Sequence, residues 1–185
     1  MTHMLRLLLC CALLLPCAAR ADQNDPELKD LFALLRKAPD EAAALTLEAE
    51  IWEHWFTHKD PAIQTLLDTG SAQMAREDFQ SALTTFTRLI QQAPEYAEGW
   101  NRRATLHYLM GNYPASEKDI QQTLKLEPYH FGALSGRGLV KLALRDLKGA
   151  RAAFLSALEV NPMMGGVRGN IAMIDAQLAG SDSKR

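Results

Sequence analysis

Cysteine is nearly missing from this 185-residue chain, and the three that occur, Cys10, Cys11 and Cys17, all fall within the first 21 residues. Those residues read MTHMLRLLLCCALLLPCAARA, with Arg6 ahead of an apolar run from Leu7 to Leu15, a break at Pro16 and small residues around Ala19-Arg20-Ala21. That pattern predicts an export signal cleaved after Ala21. The apolar run is too short to cross a bilayer as a helix, which argues against a retained anchor. Pro16 directly before Cys17 argues against a lipid-modified N-terminus. Cleavage leaves a periplasmic or secreted chain with no cysteine, so disulfide, thiol-redox and zinc-thiolate chemistry are excluded.

An excess of positive charge is lacking as well. The whole chain carries 20 Lys plus Arg against 22 Asp plus Glu, and loss of Arg6 and Arg20 takes the net charge from −2 to −4. An acidic balance of that kind speaks against nucleic acid as a partner. Beyond residue 21 no membrane span is expected. There is no Gly-x-Ser-x-Gly turn and no phosphate-binding glycine loop, and the carboxylates are scattered without a convergent pair. These absences predict a non-catalytic protein without a cofactor, and the 164 residues after the signal suffice for one continuous helical core.

What is present is a period. Pro94, Pro128 and Pro162 are each 34 residues apart, and alignment on them brings small and apolar residues into shared columns. Leu66, Trp100 and Leu134 form one column, and Gly70, Ala104 and Gly138 form the next. Phe79, Tyr113 and Leu147 follow, then Ala82, Ser116 and Ala150, then Phe86, Ile120 and Phe154. Each unit therefore has two apolar stripes at helical spacing. The polar turns between them end in Asp78, Asn112 and Asp146, candidate N-caps of a second helix. The unit reads as helix, tight turn, helix.

These columns resemble the tetratricopeptide repeat family, a 34-residue helix pair with a Trp, a small residue, an Ala-x3-Phe pair and a closing Pro. Ala82 with Phe86, Ala150 with Phe154, Trp100 and the three prolines carry the likeness. Thr69, Arg103 and Arg137 stand where Leu is usual, and Gln73, His107 and Lys141 where Tyr is usual. The resemblance implies an all-α, right-handed α-solenoid with repeats at residues 63–96, 97–130 and 131–164. Residues 22–26 read as an exposed leader, 27–62 as a degenerate helix pair capping the first repeat, 165–180 as a C-terminal capping helix, and 181–185 as a frayed tail. Both Trp52 and Trp55 are expected to pack against the helix over Ile63 to Gln73.

In this family the first helix of each unit lines a concave groove, so the implied function is a scaffold or assembly factor that holds a peptide or protein segment there. The groove columns give Leu67, Ser71, Glu98, Asn101, Arg102, Thr105, Tyr108 and Ser135 as binding residues. For Glu98 and Arg102 a local i, i+4 ion pair is the competing reading. Arg103 and Arg137 read as structural, with stems packed between helices. His107 reads as a satisfied packing histidine. Gly132, Gly136 and Gly138 read as permitting close helix packing. The clamp with which some arrays capture acidic chaperone tails would fall on Leu67, Ser71, Arg102, Gly132 and Gly136, and those residues do not form it. Two alternatives remain: a metal site from Glu50, His54 and His58 at i, i+4 and i+8, and self-association through the tryptophan face.

Overall fold

The computed structural model describes residues 23–182, which form nine α-helices and no strand among the described residues. The expected signal segment lies outside them. Three hairpins make the array: α3 (Pro61–Ala75) with α4 (Phe79–Gln92), α5 (Ala97–Leu109) with α6 (Tyr113–Leu126), and α7 (Phe131–Ala143) with α8 (Leu147–Val160). Each closes by seating a residue of the second helix on a small residue of the first. The Phe86 ring lies where a side chain on Gly70 would stand, the Phe154 ring does the same over Gly138, and Ile120 is buried beside Ala104. In the middle hairpin the Ser116 hydroxyl also donates to the Ala104 carbonyl at 2.8 Å.

The turns inside the hairpins place Glu77, Gly111 and Arg145 in the left-handed region at φ 60°, 75° and 61°. Only the middle one is glycine, the residue that enters this region without a steric cost. Asp78 and Asp146 accept hydrogen bonds from the Ser81 and Gly149 N–H groups, as N-caps do. Asn112 makes no such bond. His130 caps α7 instead, its Nδ1 accepting from the Ala133 N–H at 3.1 Å.

The N-terminal helices α1 (Glu27–Leu35) and α2 (Glu41–Phe56) depart from the expected arrangement. They do not stack on α3 as a cap. The α2 helix lies along the array, and its side chains or backbone carbonyls meet each unit. Glu48 accepts from the Asn161 amide at 2.6 Å, near the array's C-terminal end. Trp55 is fully buried and stacks flat on His130 at 3.9 Å, and Trp52 meets Phe131 edge-on at 5.5 Å. The Tyr96 hydroxyl donates to the Trp55 carbonyl, the Arg102 guanidinium sits 4.5 Å from the Phe56 ring centre, and Gln64 on α3 donates to the Phe56 carbonyl. A helix of 16 residues is about 24 Å long, enough to make this crossing.

The cause of the departure is the large aromatic arc of α2 and the lack of side chains at its landing site. A Cβ on Gly132 would stand 2.7 Å from the Trp52 ring. Outside α2, α1 buries Leu28, Leu31, Phe32 and Leu35 in the same cluster as Trp55, Phe131 and Val160. The residue expected in an exposed leader, Gln23, is half-buried, donating to the Glu95 carbonyl and accepting from the Ala97 N–H. At the other end α9 (Gly165–Asp182) seats Val167 and Ile174 on α8 and runs past Gly180, where the sequence pattern ends it. No helix among the described residues is long and apolar enough to cross a membrane.

Candidate functional site

With α2 laid over the N-terminal halves of α5 and α7, the C-terminal halves remain open and a trench is left between them. Residues 101, 105 and 108 fall at i, i+4 and i+7 and so share one face of α5. Asn101, Thr105 and Tyr108 accordingly line one wall, and Ser135 and Leu139 stand on α7 beside them. Ala104, Ser116, Ile120 and Ala133 contribute to the lining, Glu48 and Trp52 of α2 form the opposite wall, and Met164 borders it. The hollow measures about 290 Å³. A shallower hollow sharing Glu48, Ser135, Leu139 and Met164 extends it past Leu45 and Glu41 to Asn170.

Four of the eight groove residues read from the sequence meet here, namely Asn101, Thr105, Tyr108 and Ser135. Thr105 donates its hydroxyl to the Asn101 carbonyl of its own helix. Tyr108 is half-buried with its ring 5.7 Å from that of Tyr113. The other four lie elsewhere. Leu67 is buried with Ile63 and Phe86 in the core of the first hairpin, so it offers nothing to a ligand. Ser71 lies on α3 and lines neither hollow.

Glu98 is 1% exposed and is the centre of a buried network. Its carboxylate accepts from Arg102 Nε at 2.6 Å, from the Asn101 amide at 2.9 Å, and meets His130 Nε2 at 3.1 Å. Because His130 Nδ1 accepts from Ala133, a neutral ring carries its proton on Nε2 and donates to Glu98. Glu98 and Arg102 therefore form the local ion pair, and one N–H of Asn101 is already taken. The network ties α5, the start of α7 and, through the stacked Trp55, α2 into one body.

The arginines read as structural are so. Arg103 forks Asp119 at 2.7 and 2.9 Å and lies 5.1 Å from the Trp100 ring, while Arg137 donates to Glu117 at 2.9 Å. His107 packs as expected but is not satisfied. Its Nδ1 is buried without a partner, its Nε2 is 3.8 Å from Asp119, and burial pushes its pKa below 6.5 against the pull of Asp119.

The alternative metal residues do not converge. Glu50 is exposed, His54 is buried with its nitrogens 3.9 Å from Asp25 and Glu27, and α2 ends before His58, whose Nδ1 accepts from the Asp60 N–H. Among the described residues no three His, Cys, Asp or Glu side chains are grouped to hold a metal ion. Sequence reasoning missed Glu48 and Trp52 as walls of the site, because α2 was assigned to the end of the array. Two signals point to it: an apolar arc on α2 too wide for one neighbour, and the side-chain gap at Gly132.

The tetratricopeptide repeat model matches residues 67–116 and 102–162. A TPR repeat-containing protein of Rhizobium etli is 32% identical over 154 residues, covering 83% of this chain and 76% of its own length. The heat-shock protein cognate co-chaperone sgt12 of Aspergillus fumigatus is 25% identical over 66% of this chain, which spans 36% of that relative. The Sgt2 TPR domain from Aspergillus fumigatus superposes with a TM-score of 0.63 at 21% identity, over 67% of this chain and 83% of that one. The first TPR of Spaghetti (RPAP3), solved with the HSP90 peptide SRMEEVD, gives 0.62 at 20% identity over 63% and 93%. These two superpositions show a shared fold.

Proposed function

We propose that this chain, which belongs to the tetratricopeptide repeat family, is an exported, non-catalytic scaffold or assembly factor that holds a segment of another polypeptide in the trench beside α2. The observation that carries the reading is the hollow itself: an apolar floor with hydrogen-bonding groups at its edge, on a frame whose inner helices are locked by buried contacts. A rigid frame loses little conformational freedom on association, so modest contacts suffice for useful affinity. At about 290 Å³ the deep part is at the small end of ligand cavities, which suits one or two side chains of a longer segment better than a metabolite. The non-catalytic reading is supported by the likeness to a co-chaperone such as sgt12. Export is supported by the pattern of residues 1–21, and predicts a native N-terminus at Asp22.

A photo-cross-linking residue tests the docking role. Placed at Ser135 in the trench, it captures a discrete partner in the envelope, whereas at the outward-facing Ala152 it does not. Equal capture from both positions overturns the assignment of the face.

A further inference from the structure

We infer that the segment held in the trench presents a bulky apolar side chain next to Lys or Arg, with Glu48 receiving the cation. This rests on the docking role proposed above and adds the chemistry of the partner. The first ground is room. A Cβ built on Gly136 would meet only the Ile120 side chain, at 3.9 Å, so the floor beneath Ser135 and Leu139 is open to an apolar side chain from outside.

The second ground is charge. Glu48 in the deep hollow and Glu41 in its extension are carboxylates, and no Lys, Arg or His lines either. On α5, α7 and α9 the cations are engaged elsewhere: Arg102 with Glu98, Arg103 with Asp119, Arg137 and Lys141 with Glu117, and Arg168 with the Pro162 carbonyl. Glu48 accepts from Asn161, a neutral amide that orients the carboxylate and leaves its charge uncancelled. Among the described residues no cation pairs with it.

A half-buried carboxylate beside apolar walls attracts a cation more strongly than one in open water, and repels an acid by the same margin. The tail peptide SRMEEVD seen in the Spaghetti structure, rich in carboxylates, would meet charge of its own sign here. Gly132 and Gly136 add no charged side chain to this lining.

A random dodecapeptide display library panned on the full protein tests the inference, with Gly136→Leu as the counter-selection. Leucine there fills the hollow within a helix that accepts it. Expected is an enriched set with Lys or Arg beside a large apolar residue, lost on Gly136→Leu. For a peptide from that set, Glu48→Gln, which keeps an acceptor for Asn161, weakens binding about tenfold, the loss of one partly buried charge pair. Ser135→Lys, at the half-exposed edge, weakens the same peptide and serves as the readout should Gly136→Leu melt early.

Acidic peptides that are enriched and then lost on Gly136→Leu would overturn the charge assignment and leave the docking role standing. Enrichment indifferent to Gly136→Leu and to Ser135→Lys alike would remove the docking role and the inference together. A dimer seen by light scattering and dissolved by Gly136→Leu would seat a second copy in the trench, and would also overturn the assignment.

Discussion

The contacts inside each hairpin and the contacts that seat α2 on the array are built by different means. Inside a hairpin, one small residue faces one large apolar residue, and the pair recurs as Gly70 with Phe86, Ala104 with Ile120 and Gly138 with Phe154. Beneath α2 nothing recurs. Trp55 lies on His130, the Tyr96 hydroxyl donates to the Trp55 carbonyl, and Glu48 reaches Asn161, each contact being used once. The repeated interface is apolar and short-range, whereas the single one mixes aromatic stacking with buried polar groups drawn from distant parts of the chain. An array can therefore be uniform in its frame and individual in what occupies its inner side.

The sharpest way to break that comparison is to empty the unique interface. Trp55→Ala removes a fully buried ring and is expected to cost about 3–5 kcal/mol, as much as Phe154→Ala in a repeated one. Urea unfolding of the two variants measures it. A loss below about 1 kcal/mol for Trp55→Ala would mean that α2 rests loosely on the frame and is not part of it.

Two positions on α7 sharpen the contrast at smaller scale. Gly138→Ala drives a methyl into the Phe154 ring and is expected to destabilise by about 1–3 kcal/mol. Gly136→Ala has room, replaces glycine within a helix, and is expected to stabilise by about 0.5–1 kcal/mol. Opposite shifts in urea midpoint for neighbouring glycines would separate a packing contact from an empty site. Shifts of the same sign would contradict that division.

The smallest effect belongs to His107. Burial lowers its pKa below 6.5, with Asp119 opposing and Arg103 reinforcing the shift. The unfolded chain then binds the proton more readily than the folded one. Its contribution to stability is intact above 6.5 and is lost as pH falls through the lowered folded value. His107→Gln should flatten that part of the profile, measured as urea midpoints between about pH 5 and pH 8. An unchanged slope would show that another group governs it.

The same contrast explains how much could be read in advance. Translation by 34 residues exposes the small-against-large columns, and with them the hairpins, the caps at Asp78 and Asp146 and the face holding Asn101, Thr105, Tyr108 and Ser135. Glu98 and Leu67 share the groove-facing columns but not the groove. Glu98 is buried where it meets His130, on which Trp55 stacks, and Arg102, which lies over Phe56, and Leu67 turns into the first hairpin. Neither burial follows from a period, because each depends on partners that appear once. The residues 27–62 were recognisable as two helices from their apolar spacing and from Asp40, which caps α2 by accepting from the Ala43 N–H. Where they dock is encoded in the breadth of an aromatic arc and in the missing side chain at Gly132, and both are features that alignment of repeats passes over.

The bond between Glu48 and Asn161 spans 113 positions. Synthesis makes α1 and α2 before the repeats, yet the surface that receives them is complete only after α7 and the end of α8 have been made. Until then Trp52, Trp55 and Phe56 have no seat, and their rings are the part of the newborn chain most in need of shelter from other sticky surfaces. A segment made before the repeats thus finds its full set of contacts only when the third unit is complete.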